Sequence, residues 1–310
     1  MANTTGFNST AATALGGTAG DAGLVQKAYD RLIEFQLRAE PMLRAVADKR
    51  PSSLTNPGET VVLQKYKDLA RKTSTLAETV DVDSVGLDTP DKVLVTLEEY
   101  GNATVTTRKL NLLSLADVDP AIANILAFNM ADSIDEIVKD VLLGGTNVRF
   151  ADGGVDATGT LTAADVRYVV AKLRANKAAF RKGSMYWSAI HPEVSHDLRA
   201  ESDAAAWRAP HNYVDTGNIY AGEIGAFEGA FFVESARIEP DAEGVYPTFF
   251  AGQQALAEVV AEEPHMVVGP VTDKLMRLRP MGWYGVLGHA IYRDEALYRV
   301  ESSSSIAEVV

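Results

Sequence analysis

The sequence predicts an α+β chain, on three observations. A long helix with one apolar stripe lies mid-chain, from Asp119 to Leu142. Two limbs of alternating apolar residues flank an acidic segment closer to the N-terminus, which reads as paired strands. From Ala151 to Pro270 short strands alternate with short helices, the pattern of a compact α/β block set into the chain.

Composition bounds the chemistry. The chain has 310 residues, enough for two packed layers or two subdomains. It has no cysteine, which excludes disulfides, thiolate metal sites and a cysteine nucleophile. A net charge of -13 argues against general affinity for a phosphate backbone, since such binding depends on basic patches that release counterions. The N-terminal ten residues lack the basic and apolar regions of a signal peptide, and no apolar run has the length of a membrane span. The expectation is a soluble chain made in the cytoplasm.

Residues 1 to about 20 are rich in Ser, Thr, Gly, Ala and Asn, which predicts an arm that orders on a partner. Leu24, Val25, Ala28, Leu32, Ile33 and Phe35 then follow helical spacing from Asp21 to a stop at Pro41. From Glu59 the period shortens. Val61, Leu63, Lys65 and Tyr66 predict one extended limb, and Val93, Val95, Leu97, Val105 and Thr107 the other. Between them, Ala77 to Asp91 forms an acidic tip; an ordinary hairpin with a solvated loop and a long projecting arm both fit the pattern.

Asp119-Pro120 is a helix start, a capping side chain followed by proline at the first helical position. Ile122, Ile125, Leu126, Met130, Ile134, Ile137, Val141 and Leu142 carry the stripe to the stop at Gly144-Gly145. Thr162 and Asp165 resemble a capping box opening a helix through Leu173. Met185 to Ile190 predicts a strand, Glu193 to Ala200 a helix, Gly222 to Gly229 a glycine-spaced loop before a strand through Val233, and Thr248 to Gly252 another strand. Two β-rich runs joined by the Asp294-Glu295 turn are expected to close the chain as a hairpin.

Candidate chemistry is sparse. His191, Glu193, Ser195 and His196 lie close in sequence, and Ser195 follows His191 by one helical turn, within reach of a nucleophile and base. No G-x-S-x-G elbow surrounds the serine, and a helix start collects Pro, Glu and Ser by itself. His191, His196 and His211 lack the spacing of a metal site. Gly217, Gly222, Gly225 and Gly229 match neither a phosphate loop nor a dinucleotide fingerprint. Trp283, Tyr284, Tyr292 and Tyr298, with Arg277, Arg279, Arg293 and Arg299, read as interface or core aromatics in preference to a base-stacking platform, because the charge opposes nucleic acid.

The order of parts, together with the phrases Gly222-Glu223-Ile224-Gly225-Ala226-Phe227-Glu228-Gly229, Phe249-Phe250-Ala251-Gly252-Gln253-Gln254-Ala255-Leu256, Gly282-Trp283-Tyr284-Gly285 and Asp294-Glu295-Ala296-Leu297-Tyr298-Arg299-Val300-Glu301, resembles major capsid proteins of tailed bacteriophages. These have the Hong Kong 97 fold, and the phrases are similar to those of the N-four type coat-protein family. The resemblance spans about residues 20 to 302. It implies a subunit that forms hexamers and pentamers of an icosahedral head, enclosing double-stranded DNA without specific binding and residing in the virion. Laid on this chain, it implies an N-terminal arm and helix at 1–55, an extended β-arm at 56–110, and a peripheral domain of spine helix and β-hairpin at 111–150 and 271–302. The axial domain falls at 151–270 and a tail at 303–310.

The same resemblance implies partners. These are other copies of the chain, a separate scaffolding protein, expected because only some 20 polar residues precede the first helix, a portal and a maturation protease, with a decoration protein as an optional addition. Lys65, Lys67, Lys72 and Lys92 lie in the arm, but no crosslinking partner is identifiable and no crosslink is expected. The subunit-interface residues expected are Asp81, Asp83, Asp88, Lys92, Trp283 and Tyr284; no catalytic, cofactor or metal residue is expected. Two rival readings are an encapsulin-type compartment shell and an α/β hydrolase built on His191 and Ser195.

Overall fold

The computed structural model describes residues 41–50, 60–76, 78–79, 81–82, 84–113, 118–154, 157–200, 223–270 and 273–306. The helix expected from Asp21, the interface residue Asp83, the candidate ligand His211, and Gly217 and Gly222 lie outside the described residues.

Chain order begins with a 3-10 turn at Leu43–Val46 and strand β1 (Ala47–Arg50). Strands β2 (Thr60–Lys65) and β3 (Asp91–Thr96) pair antiparallel as a separate two-stranded ribbon, with Val62 opposite Leu94 and Lys65 opposite Asp91. Strand β4 (Glu98–Thr107) leads into the short helix α1 (Arg108–Leu113) and the spine helix α2 (Val118–Leu143). At about 1.5 Å per residue, the 26 residues of α2 make a rod on the order of 39 Å long. Leu126, Ile134, Val138 and Leu142 are its buried residues, at spacings of whole i,i+4 steps that keep them on one face. Ile125, expected in that stripe, points away and is 48% exposed.

The remaining elements are β5 (Val148–Phe150), α3 (Ala163–Ala175), β6 (Tyr186–Ile190), α4 (Pro192–Ala200), β7 (Glu223–Phe227), β8 (Ala230–Glu234), β9 (Tyr246–Ala251), β10 (Leu256–Val268), β11 (Leu278–Ile291) and β12 (Leu297–Ser302). They form a six-stranded sheet, β5-β12-β9-β6-β8-β7, and a four-stranded sheet, β1-β10-β11-β4. Strands β6 and β9 are buried along their whole length, as continuous apolar strands are when both faces are covered. Their side chains divide by the two-residue period of a strand. Tyr186, Ile190, Phe232 and Phe250 face Val166, Val169 and Leu173 of α3 and Val194 and Leu198 of α4. Trp187, Ala189, Phe231 and Phe249 face Val138 and Leu142 of the spine helix, together with Leu43 and Val46. Each fully buried Phe contributes about 1.5–3 kcal/mol, which makes this sheet the energetic centre of the protomer.

Local rules place the helices. Thr162 caps α3 as expected: its side chain accepts from Asp165 N–H, and the Asp165 carboxylate reaches back to Thr162 N–H. Asp165 is fully buried and also holds Arg149 at 2.9 Å, so the cap doubles as a link to β5.

Four expectations are corrected. The Asp294-Glu295 turn is a 3-10 turn (Asp294–Ala296) that does not close a hairpin: β11 on one side pairs with β10 and β4, while β12 on the other pairs with β9 and β5. Residues 223–229 are strand β7 and a two-residue turn, Glu228 (φ 49) and Gly229 (φ 90), which joins β7 to β8 with both central residues left-handed. Strand β4, expected as part of the arm's second limb, pairs with β11 from Leu278 to Leu287 and belongs to the body. Strand β10 runs on for 13 residues and lies in the sheet of β11, whereas β12 joins the α/β block. Sequential neighbours were assumed to share a sheet; side-chain burial on both faces of the central strands decided otherwise.

The ribbon meets the body at one end of β11. Val95 and Leu97 are buried against Val259, with Val61, Leu63, Val286 and Ala290 around them. A Cβ on Gly288 would lie 2.2 Å from the Thr96 carbonyl oxygen, so only glycine lets the arm's base cross the strand at this point.

Candidate functional site

The His191 and Ser195 cluster has the geometry of a helix start. Ser195 is buried, its Oγ 2.9 Å from the Pro192 carbonyl and in contact with the Glu234 carboxylate, and it accepts from Arg199 Nη2 at 3.0 Å. His191 and Ser195 are joined by backbone, Ser195 N–H to His191 C=O at 2.9 Å. The His191 Nδ1 accepts from the Glu193 N–H at 3.3 Å, and its ring lies on Tyr246 with centroids 4.8 Å apart. Burial depresses the His191 pKa below its ordinary value and outweighs the nearby carboxylates Glu193, Glu234 and Glu239, which favours the neutral acceptor form. Burial and the hydrogen bond to Glu193 push Tyr246 up to about 12. Every polar atom here has a structural task, and the imidazole is not turned to the hydroxyl. His196 is exposed beside Asp197. Among the described residues no cluster of His, Asp and Glu has the makings of a metal site.

The arm carries the expected interface residues at its surface. Asp81, Asp88 and Lys92 are exposed, and Asp81 accepts the Val82 N–H at 2.8 Å. Around them Leu76, Val82, Val85 and Leu87 are between 50% and 73% exposed. One ribbon face is covered by the body, and on the other Val62 and Leu94 stand opposite each other, uncovered. Of the arm lysines, Lys65 pairs with Glu295 at 3.3 Å and Lys67 with Asp91 at 3.1 Å.

The closing aromatics do not form one platform. Trp283 is 4% exposed, and its indole Nε1 donates to Asn129 Oδ1 of the spine helix at 3.0 Å. Its expected place at a subunit interface is corrected: the ring is used up inside the protomer. Tyr284, the next residue on β11, points to the opposite sheet face, half-buried near His265 in an open cleft of about 550 Å³. Tyr292 sits at the arm's base beneath Arg50 and reaches the Gln64 carbonyl at 3.4 Å, while Tyr298 packs in the α/β block.

A buried charge network was invisible in the sequence. Glu258, 1% exposed, accepts from Arg44 Nε at 2.8 Å and lies 3.6 Å from His289 Nε2. Burial alone would raise its pKa, but His289 and Arg44 together hold it below the ordinary value. Asp135, buried on the spine helix, accepts the backbone N–H of Met42 at 3.2 Å and of Arg44 at 2.9 Å, and Arg237 lies against it at 3.4 Å. Burial is the largest influence on Asp135 and raises its pKa. The chain entering at residue 42 is thus fastened to both the spine helix and β10. The one signal in the sequence was Asp135 itself, a carboxylate next to Ile134 on an apolar face.

A protomer with a projecting ribbon, a spine helix laid along a four-stranded sheet and an inserted α/β block has the Hong Kong 97-like architecture of phage shells. Comparisons with known proteins agree. The structure is similar to the capsid of Ralstonia phage GP4, with a TM-score of 0.73 and 12% identity over 93% of this chain and 97% of that one. It is similar to the capsid of Cyanophage Pam1, TM-score 0.69 and 14% identity over 92% and 98%, and to a chain of Mycobacterium phage Che8, TM-score 0.66 and 14% identity over 89% and 97%. Among curated proteins, none matches. The family model described as phage capsid protein matches residues 45–296. The chain belongs to the phage capsid protein family, and its place is the capsid of the virion.

Proposed function

We infer that this chain is the major capsid protein of a tailed phage, a non-enzymatic subunit that builds an icosahedral head of hexamers and pentamers around double-stranded DNA. The observation that carries this reading, beside family membership, is the ribbon of β2 and β3. A lone two-stranded ribbon is marginal in water, and this one exposes Val62, Leu94, Leu76, Val82, Val85 and Leu87. Such surface is covered once subunits assemble. Residues 60–96 act as the extended arm, the spine helix with the four-stranded sheet as the peripheral domain, and the six-stranded sheet with α3 and α4 as the axial domain. The interface role of the arm rests on Asp81, Asp88 and Lys92, and that of β11 on Tyr284. Assembly partners in this reading are a scaffolding protein, a portal and a maturation protease, with a decoration protein as an addition. The net charge of -13 suits a wall that encloses DNA without gripping it.

The test is to express the chain, separate it by size-exclusion chromatography and image it by electron microscopy. Closed particles or capsomers of five and six subunits are expected. A stable, fully ordered monomer at high concentration would overturn the reading.

A further inference from the structure

The far end of β11 carries a second uncovered apolar surface, of opposite charge to the arm. Leu110, Leu112, Leu275, Met276 and Leu278 are between 36% and 73% exposed there. The two segments that carry them are joined, Arg108 N–H donating to the Arg277 carbonyl at 2.8 Å, and an open cleft of about 300 Å³ runs between Leu112, Met276 and Leu278. Segments 105–112 and 273–280 hold five cations, Arg108, Lys109, Lys274, Arg277 and Arg279, against the single carboxylate of Asp273. This stands out in a chain whose net charge is -13. The arm tip is its complement: segment 76–91 holds five carboxylates, Glu78, Asp81, Asp83, Asp88 and Asp91, and no cation, with exposed Leu76, Val82, Val85 and Leu87 interleaved.

We propose that the arm tip of one copy docks on the basic apolar end of β11 in a second copy. The inference rests on the shell reading above and names the surface that receives the arm. Two observations select a second copy as the occupant. Like patches repel each other, so the basic end cannot pair with itself, while the tip supplies both the charge and the apolar side chains that it lacks. Within one protomer the two are held apart: the ribbon's base crosses β11 at Gly288, ten residues from Leu278, which is about 33 Å at ~3.3 Å per residue. A contact between two different patches is head-to-tail, and a head-to-tail contact that closes makes a ring. The arm tip would therefore set the order of subunits around a ring.

The experiment is a charge swap in the full chain. Lys109→Glu with Lys274→Glu reverses the receiving surface, and Asp81→Lys with Asp88→Lys reverses the tip; all four positions are exposed, so folding is expected to survive, as circular dichroism would verify. Each pair alone is expected to lower the particle yield at least tenfold, and the four changes together are expected to restore it to within threefold of the parent. Particles at parental yield from either pair alone, or a combination no better than the pairs, would overturn the docking. Failure of the unmodified chain to form particles in the same preparation would instead count against the shell reading.

Discussion

Trp283 and Asn129 clamp the long sheet to the spine helix: the indole Nε1 donates to Asn129 Oδ1 at 3.0 Å, and Asn102 Nδ2 of β4 donates to the same oxygen at 3.1 Å. One amide thus ties β11 and β4 to α2 at mid-length. The sheet and helix form a single lever from the arm's base to the basic end.

Asn129→Leu leaves the buried indole N–H without an acceptor, a loss of about 1–3 kcal/mol. Urea unfolding of the unassembled subunit, followed by tryptophan fluorescence, is expected to show a lower midpoint by that amount. An unchanged midpoint would mean that the clamp contributes nothing.

Glu258 gives the fold a dependence on acid. Because its folded pKa lies below the unfolded value of about 4.3, its contribution is present above that pH and is lost as pH falls through the folded value. Glu258→Gln is expected to cost on the order of 2 kcal/mol at pH 7, below the range for fully buried pairs because Arg44 stays a third exposed and keeps Glu263. The melting temperature of the variant should vary less than the parent's between pH 5 and 3.

Ile134→Asp places an unpaired carboxylate at a residue 2% exposed, beside the carboxylate of Asp135. The cost of several kcal/mol compares with a total stability of roughly 5–15 kcal/mol. The soluble fraction after expression is expected to vanish.

Ser195→Ala removes a hydroxyl that accepts from Arg199 and meets Pro192 and Glu234, and is expected to lower stability by about 1 kcal/mol. Particle yield is expected to stay at the parental level. An esterase activity present in the parent and lost in this variant would revive a hydrolase built on His191 and Ser195.

Deleting residues 77–90 spares Lys65 and Asp91, the last register pair of the ribbon, and removes side chains that contribute little burial within the protomer. A folded, soluble protein by circular dichroism that forms no particles is expected. Normal shells from it would refute the arm's role.

Much of the local structure was legible because it depends on neighbours in sequence. The cap at Thr162 and Asp165, the buried positions Leu126, Ile134 and Leu142, and the alternation of Val61 and Leu63 follow from turn geometry and from the periods of helix and strand. The candidate site was only partly legible. Asp81, Asp88 and Lys92 read as exposed from their polarity, while Trp283 was misplaced, because an aromatic suited to an interface is equally suited to a core whose acceptor, Asn129, lies 154 residues away.

The sequence by itself determined the class of chain, the length and buried face of the spine helix, the charge that keeps DNA at a distance and the absence of cysteine chemistry. Those follow from composition and from interactions a few residues apart. Only the tertiary structure decided which sheet each strand enters, that β11 and β12 part at Asp294, that β4 leaves the arm for the body, and that Arg44, Glu258 and His289 share one buried site. The physical reason is that strand partners and buried charges are chosen by burial on faces formed from distant segments. A periodic pattern states that a face exists without stating what covers it.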